Sequence, residues 1–181
     1  MIPSYYFIED SDEYSKSDNN ELYQYNDYEY FITPSSTNIM KLCYNNSITV
    51  DKILNLKHEI GEVDATKTTA LMYYCEHNGE NPEIINALSD EIGMQDMEGY
   101  TALMNLMSKN HKTINIDCIN ALQNEIGLRN DYCESALDLF CANHYKNLDQ
   151  SLANQIIYTL KGEYSSTHYY NAVDIKGLLI K

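Results

Sequence analysis

The sequence holds a single arginine, Arg129, and no tryptophan, and its 12 basic residues face 27 acidic ones for a formal charge of −15. A phosphate-binding surface needs clustered lysine and arginine. No such cluster exists, so direct nucleic-acid binding is not expected. Long apolar runs are also missing. None approaches the roughly 20 residues that span a bilayer, and no membrane association is expected. The opening residues, Met1 to Asp10, lack the basic region and apolar stretch of a secretory signal. The five cysteines form no CxxC pair, and an odd count without a signal fits a reducing compartment. The expected setting is therefore cytoplasmic, with the nucleus as the alternative, and not secreted. Neither a Gly-x-Ser-x-Gly elbow, a glycine-rich phosphate loop nor a His-Glu-x-x-His helix occurs. The five histidines are dispersed, whereas structural zinc needs four converging ligands. No enzyme activity, cofactor, metal or small-molecule substrate is expected.

What the sequence has in excess is tyrosine, seventeen against three phenylalanines. Tyrosine joins apolar area to a hydroxyl and suits interfaces, although a compositional bias gives the same count. Residues 1–33 form an acidic, tyrosine-rich arm in which Glu9, Asp10, Asp12, Glu13, Asp18, Glu21, Asp27 and Glu29 face only Lys16. The polar middle, Asp10 to Asn20, cannot bury enough apolar area to fold alone. Three readings stay open for the arm. It could lie in a basic groove of a partner, with Tyr5, Tyr6, Phe7, Tyr23, Tyr25, Tyr28 and Tyr30 as anchors. It could be a solubilising or self-packing leader that covers the first repeat, or a regulatory tail modified on serine or tyrosine.

The strongest signal is an internal repeat. The words His58-Glu59-Ile60-Gly61, Asp90-Glu91-Ile92-Gly93 and Asn124-Glu125-Ile126-Gly127 recur 32 and then 34 residues apart. A second set keeps step: Thr69-Ala70-Leu71-Met72, Thr101-Ala102-Leu103-Met104 and Ser135-Ala136-Leu137-Asp138, with a degenerate Thr37-Asn38-Ile39-Met40 ahead of them. Each threonine or serine can cap a first helix. The apolar offsets Ala70, Leu71, Tyr74, Cys75 and Ala102, Leu103, Leu106, Met107 mark its buried face. A second helix opens near Pro82-Glu83 and carries Ile84-Ile85-Asn86-Ala87-Leu88. Its counterparts are Lys52-Ile53-Leu54-Asn55-Leu56, Cys118-Ile119-Asn120-Ala121-Leu122 and Ile156-Ile157-Tyr158-Thr159-Leu160. The closing glycine suits the left-handed end of a helix. The boundaries read as 34–61, 62–93, 94–127 and 128–163. Such units complete their cores by stacking.

A period near 33 residues with Asp96-Met97-Glu98-Gly99-Tyr100-Thr101-Ala102-Leu103 opening a helix pair resembles the ankyrin repeat. Lys67 and Cys133 stand where the family's turn glycine would be. Alanine replaces its proline, and Met40, Met72, Met104 and Asp138 stand at its histidine position. The resemblance implies an all-α, ankyrin-like solenoid of about four repeats over residues 34–163, with a C-terminal cap or partner-binding extension at 164–181. It also implies that Cys43, Cys75 and Cys141 fill an inward position for a small apolar residue. Cys118 reads as core, and Cys133, in a turn, is the cysteine expected to be exposed.

By that resemblance, turn tips and the exposed faces of first helices contact a partner. The tip candidates are Thr66, Lys67, Met97, Glu98, Tyr100, Tyr132 and Glu134. The helix-face candidates are Met72, Tyr73, His77, Met104, Asn105, Lys109, Asp138 and His144, with Met72 and Met104 alternatively filling the seam between repeats. Tyr28 and Tyr30 are the candidates in the arm. The expected function is non-enzymatic protein binding, as adaptor, inhibitor or assembly factor, for a protein with a basic surface. The alternative is a small accessory subunit embedded in a large complex, ribonucleoproteins included.

Overall fold

Among the described residues every α-helix is short, six to ten residues, and each begins at a side chain that caps it. The computed structural model describes residues 35–108, 114–143 and 149–163. They lie within one unit, Phe31–Lys181. Eight α-helices, and no strand, occur among them: α1 Asn38–Tyr44, α2 Val50–Asn55, α3 Ala70–His77, α4 Pro82–Ala87, α5 Ala102–Ser108, α6 Ile116–Ala121, α7 Ala136–Asn143 and α8 Gln150–Thr159. The structure is all-α. None of these helices is long and apolar enough to cross a membrane. The arm at 1–33 and the extension at 164–181 lie outside the described residues.

The first helices are capped as the recurring words require. The hydroxyls of Thr37, Thr69, Thr101 and Ser135 accept the amides of Met40, Met72, Met104 and Asp138 at 3.2–3.4 Å. The second helices use Thr49, Asn81, Asn115 and Asp149, which accept from Lys52, Glu83, Asp117 and Ser151. Helices this short do not persist alone in water. Their stability comes from packing, in two parallel rows: α1, α3, α5 and α7 touch in that order, and so do α2, α4, α6 and α8. The core runs continuously through both rows, from Ile39 and Ile53 through Leu71, Ile85, Leu103 and Ile119 to Phe140 and Ile157.

A glutamate ties each copy together and, buried from the second copy onward, ties it to the copy before it. Glu91 accepts the Gly61 amide at 2.9 Å and the Leu71 amide at 2.6 Å. Glu125 takes Gly93 and Leu103 at 2.8 and 2.6 Å, and Glu163 takes Gly127 and Leu137 at 2.9 and 2.7 Å. One oxygen thus satisfies an orphan amide at the start of its own copy's first helix. The other holds the glycine that ends the preceding copy. Glu59, in the first copy, accepts the Ile39 amide at 2.8 Å and the side-chain amide of Asn38 at 3.0 Å.

Burial pushes the carboxyls of Glu91, Glu125 and Glu163 up, and the amides that bond them offset only part of the rise. At the more accessible Glu59, burial raises as well. There the Ile39 amide and the Asn38 and Thr37 side chains prevail, and the carboxyl is lowered.

Candidate protein-binding surface

The turns between copies are built on one acceptor each. Asp64 Oδ1 takes the amides of Thr66 and Thr68, Asp96 Oδ1 those of Glu98 and Tyr100, and Asn130 Oδ1 those of Tyr132 and Glu134, all at 2.8–3.1 Å. Asp and Asn favour such loops because the short side chain folds back on the next amides. The residue three positions on has positive φ in every case: Lys67 at 59°, Gly99 at 81° and Cys133 at 63°. The glycine missing from copies two and four therefore did not change the turn. Lys67 and Cys133 adopt the same left-handed shape at a conformational cost.

Main-chain bonds string the tips together. Met97 N donates to Thr66 O and Asp131 N to Glu98 O, both at 2.9 Å, while Ala65 N donates to Ser35 Oγ. Gly99 lies against the next turn so closely that a Cβ there would sit 3.0 Å from Asn130 Cα. The result is a ridge of turns held in fixed register.

On this ridge Met97 is 61% exposed and Tyr132 63% exposed. Thr66, Lys67 and Glu98 are exposed as well. Tyr100 is half-buried, and burial together with Glu134 and Glu98 raises its phenol. Glu134 is half-buried and accepts from the Asn130 side chain at 2.9 Å. Asp131, which sequence reasoning left out, is exposed beside Tyr132. Its signal was the alignment of copies, which puts it level with Met97.

The helix-face candidates need correction. Met72, Tyr73, Met104 and Asp138 are buried. For Met72, Tyr73 and Met104 the reason is the double row: α3 and α5 each have a first helix on both sides, and helices so flanked are apolar nearly all round. Met72 and Met104 join the core between copies. Tyr73 gives its hydroxyl to Asp64 Oδ2 at 2.8 Å, which ties the first helix of copy two to its own turn. Asp138 closes a reciprocal cap with Ser135, taking its amide and hydroxyl at 2.9 Å.

Surface remains toward the helix ends. His77 is exposed, with its ring 4.4 Å from that of Tyr44, and Tyr44 meets Tyr73 edge-on at 6.0 Å. Asn105 is half-buried. Lys109, His144, Tyr28 and Tyr30 lie outside the described residues.

Arg129 stands at the base of the copy-four turn. Its guanidinium donates to the Cys133 carbonyl and comes within 3.6 Å of Asp138 Oδ2. Asp138 Oδ1 is buried and has no donor. Tyr132, Cys133 and Arg129 thus surround one short loop.

All five cysteines are free thiols. Cys43, Cys75 and Cys118 are buried and Cys133 is exposed, while Cys141 is half-buried, less enclosed than its repeat position implied. Burial pushes the thiols of Cys118 and Cys141 up to about 12. No group of three or more His, Cys, Asp or Glu side chains suited to a metal occurs among the described residues.

A second exposed apolar set lies on the other row, with Leu54 on α2 and Tyr158 on α8 each 61% exposed. Tyr158 borders an open depression with Ile116, Asn154 and Gln155 and carries the Lys161 ammonium 4.3 Å above its ring. Compared with family models, curated proteins and solved structures, the chain finds no match in any of the three.

Proposed function

We propose that this chain is a non-enzymatic protein-binding module of about four ankyrin-like repeats. It holds a partner with a basic surface along the ridge of turns and acts as an adaptor, inhibitor or assembly factor. The observation that carries the reading is the pair Met97 and Tyr132, large apolar side chains left exposed on consecutive turns that the main chain locks in register. A rigid turn presents such groups with little ordering entropy to lose on binding. The formal charge of −15 favours a basic counterpart. Repeat stacks commonly use an extended surface of this kind.

The test is photo-cross-linking in the source cell from a benzoylphenylalanine at position 132, compared with one at Asn86, exposed on α4. Adducts with a defined protein from position 132 but not from 86 support the ridge. Adducts from 86 alone, or none, would refute it.

A second reading, an accessory subunit buried in a large complex, draws on Leu54 and Tyr158, which expose apolar area on the opposite row as well. Cross-links from both rows to different proteins, surviving high salt, would favour it.

A further inference from the structure

We infer that the copy-three and copy-four turns form a docking ridge for an extended, arginine-bearing segment of the partner; this rests on the protein-binding reading and adds the chemistry of what is bound. The apolar part is Met97 and Tyr132, exposed and adjacent in the string of tips. The exposed carboxylates of Glu98 and Asp131 flank them, and Glu134 stands beside Tyr100. The single cation on these two turns, Arg129, is directed to the Cys133 carbonyl and toward Asp138. It leaves the outer carboxylates to a visitor.

The turn is also short of donors inside. Asp138, 3% exposed, keeps one oxygen with none, although a guanidinium already stands 3.6 Å from the other. Arg129 and Asp138 thus belong to the inner side of the loop, while the Glu98 and Asp131 carboxylates and the Tyr132 side chain are exposed on the outer side. A planar guanidinium fits such a place better than an ammonium. It can lie on the Tyr132 ring while its N–H groups reach a carboxylate, whereas lysine offers a compact, strongly hydrated charge. The tip of copy two, with Thr66 and Lys67, lacks both the apolar group and the acid, which confines the ridge to copies three and four.

The full chain is titrated against a fluorescein-labelled peptide alternating arginine and serine, and against its lysine analogue, with anisotropy as the readout at physiological salt. The arginine peptide is expected to bind more tightly by up to roughly fivefold, the full worth of an exposed cation–π contact being the upper bound because lysine makes a weaker one. Tyr132→Ala should abolish that preference. The pair Glu98→Gln with Asp131→Asn should weaken binding, while Asp51→Asn with Glu83→Gln, the same charge change on exposed second-helix positions, should leave it unchanged. Melting curves of each variant confirm that the fold is intact. Equal binding of the two peptides, or equal loss from the two double variants, overturns the inference, because the net charge alone then accounts for the attraction. A partner cross-linked at position 132 with no arginine preference would defeat this inference and leave the protein-binding reading standing. An arginine preference with no cross-linked partner would defeat that reading instead.

Discussion

Replacing Glu125 by glutamine tests whether the buried glutamates hold the copies together. The carboxylate accepts Gly93 N–H at 2.8 Å and Leu103 N–H at 2.6 Å, one on each oxygen. Glutamine has one carbonyl oxygen, so one amide keeps its acceptor and the other faces an NH2 group, donor against donor. A hydrogen bond to a charged group contributes about 1.5–3 kcal/mol, and an orphaned buried amide costs a comparable amount. Removing the buried charge recovers part of this, as protonation would, but the NH2 group has no lone pair to offer the second amide whereas a carboxyl hydroxyl oxygen keeps one. The expected loss is about 2–4 kcal/mol, a large share of the roughly 5–15 kcal/mol typical of a domain. The assay is urea unfolding followed by far-UV circular dichroism, with amide exchange at Gly93 and Leu103 as the local readout. Because stacked repeats are stabilised by neighbour interfaces, the transition should also broaden as copies one and two separate from three and four. Glu59→Gln is the internal comparison. Glu59 is more accessible and bonds only one backbone amide, so its loss should stay below about 1 kcal/mol. If Glu125→Gln costs no more than Glu59→Gln, or if the Gly93 and Leu103 amides exchange unchanged, the ladder is decoration and the reasoning fails.

The pH profile follows from the same groups. Glu91, Glu125 and Glu163 are raised in the fold, so the native state binds more protons than the unfolded chain above the ordinary glutamate value near 4.3, and stability falls as pH climbs through the raised values. Glu59 and Asp64 are lowered, and their contribution is lost only as pH drops below the ordinary range. Urea midpoints should therefore be higher near pH 5 than near pH 8, and a flat or opposite profile would contradict the burial argument. Lys67→Gly and Cys133→Gly release left-handed strain and should raise the melting point by an amount worth up to about 1 kcal/mol, as scanning calorimetry would record. Gly99→Ala should lower it by more than that, since the new Cβ meets Asn130 backbone at 3.0 Å. In a thiol titration of the native protein Cys133 should react first, and Cys43, Cys75 and Cys118 only after urea is added.

Much of this was legible in the sequence because two words recur in step. Thr69, Thr101 and Ser135 announced helix starts, and Asp64, Asp96 and Asn130 the turns, since those roles depend on local side-chain chemistry. The role of Glu91 and Glu125 was not, although both stand in the most visible repeat word. Their acceptors work across 20 to 32 residues, and a word's periodicity does not say what its members reach. Met72 and Met104 were left open between partner face and seam for a related reason, and they fill the seam. Their helix face was assigned by position in the unit, whereas burial depends on the helices standing on either side.

Asn38 has a meaning that only the other copies disclose. Ala70, Ala102 and Ala136 occupy its position elsewhere, and there the glutamate oxygen is free to take the amide of a glycine from the preceding copy. In copy one the Asn38 side chain fills that oxygen itself. Among the described residues the ladder therefore ends on a side chain: the Asn38 amide takes the oxygen that each later copy offers to the glycine before it. Asn38→Ala would strip that donor from Glu59 and leave the Ile39 amide as the carboxylate's remaining bond.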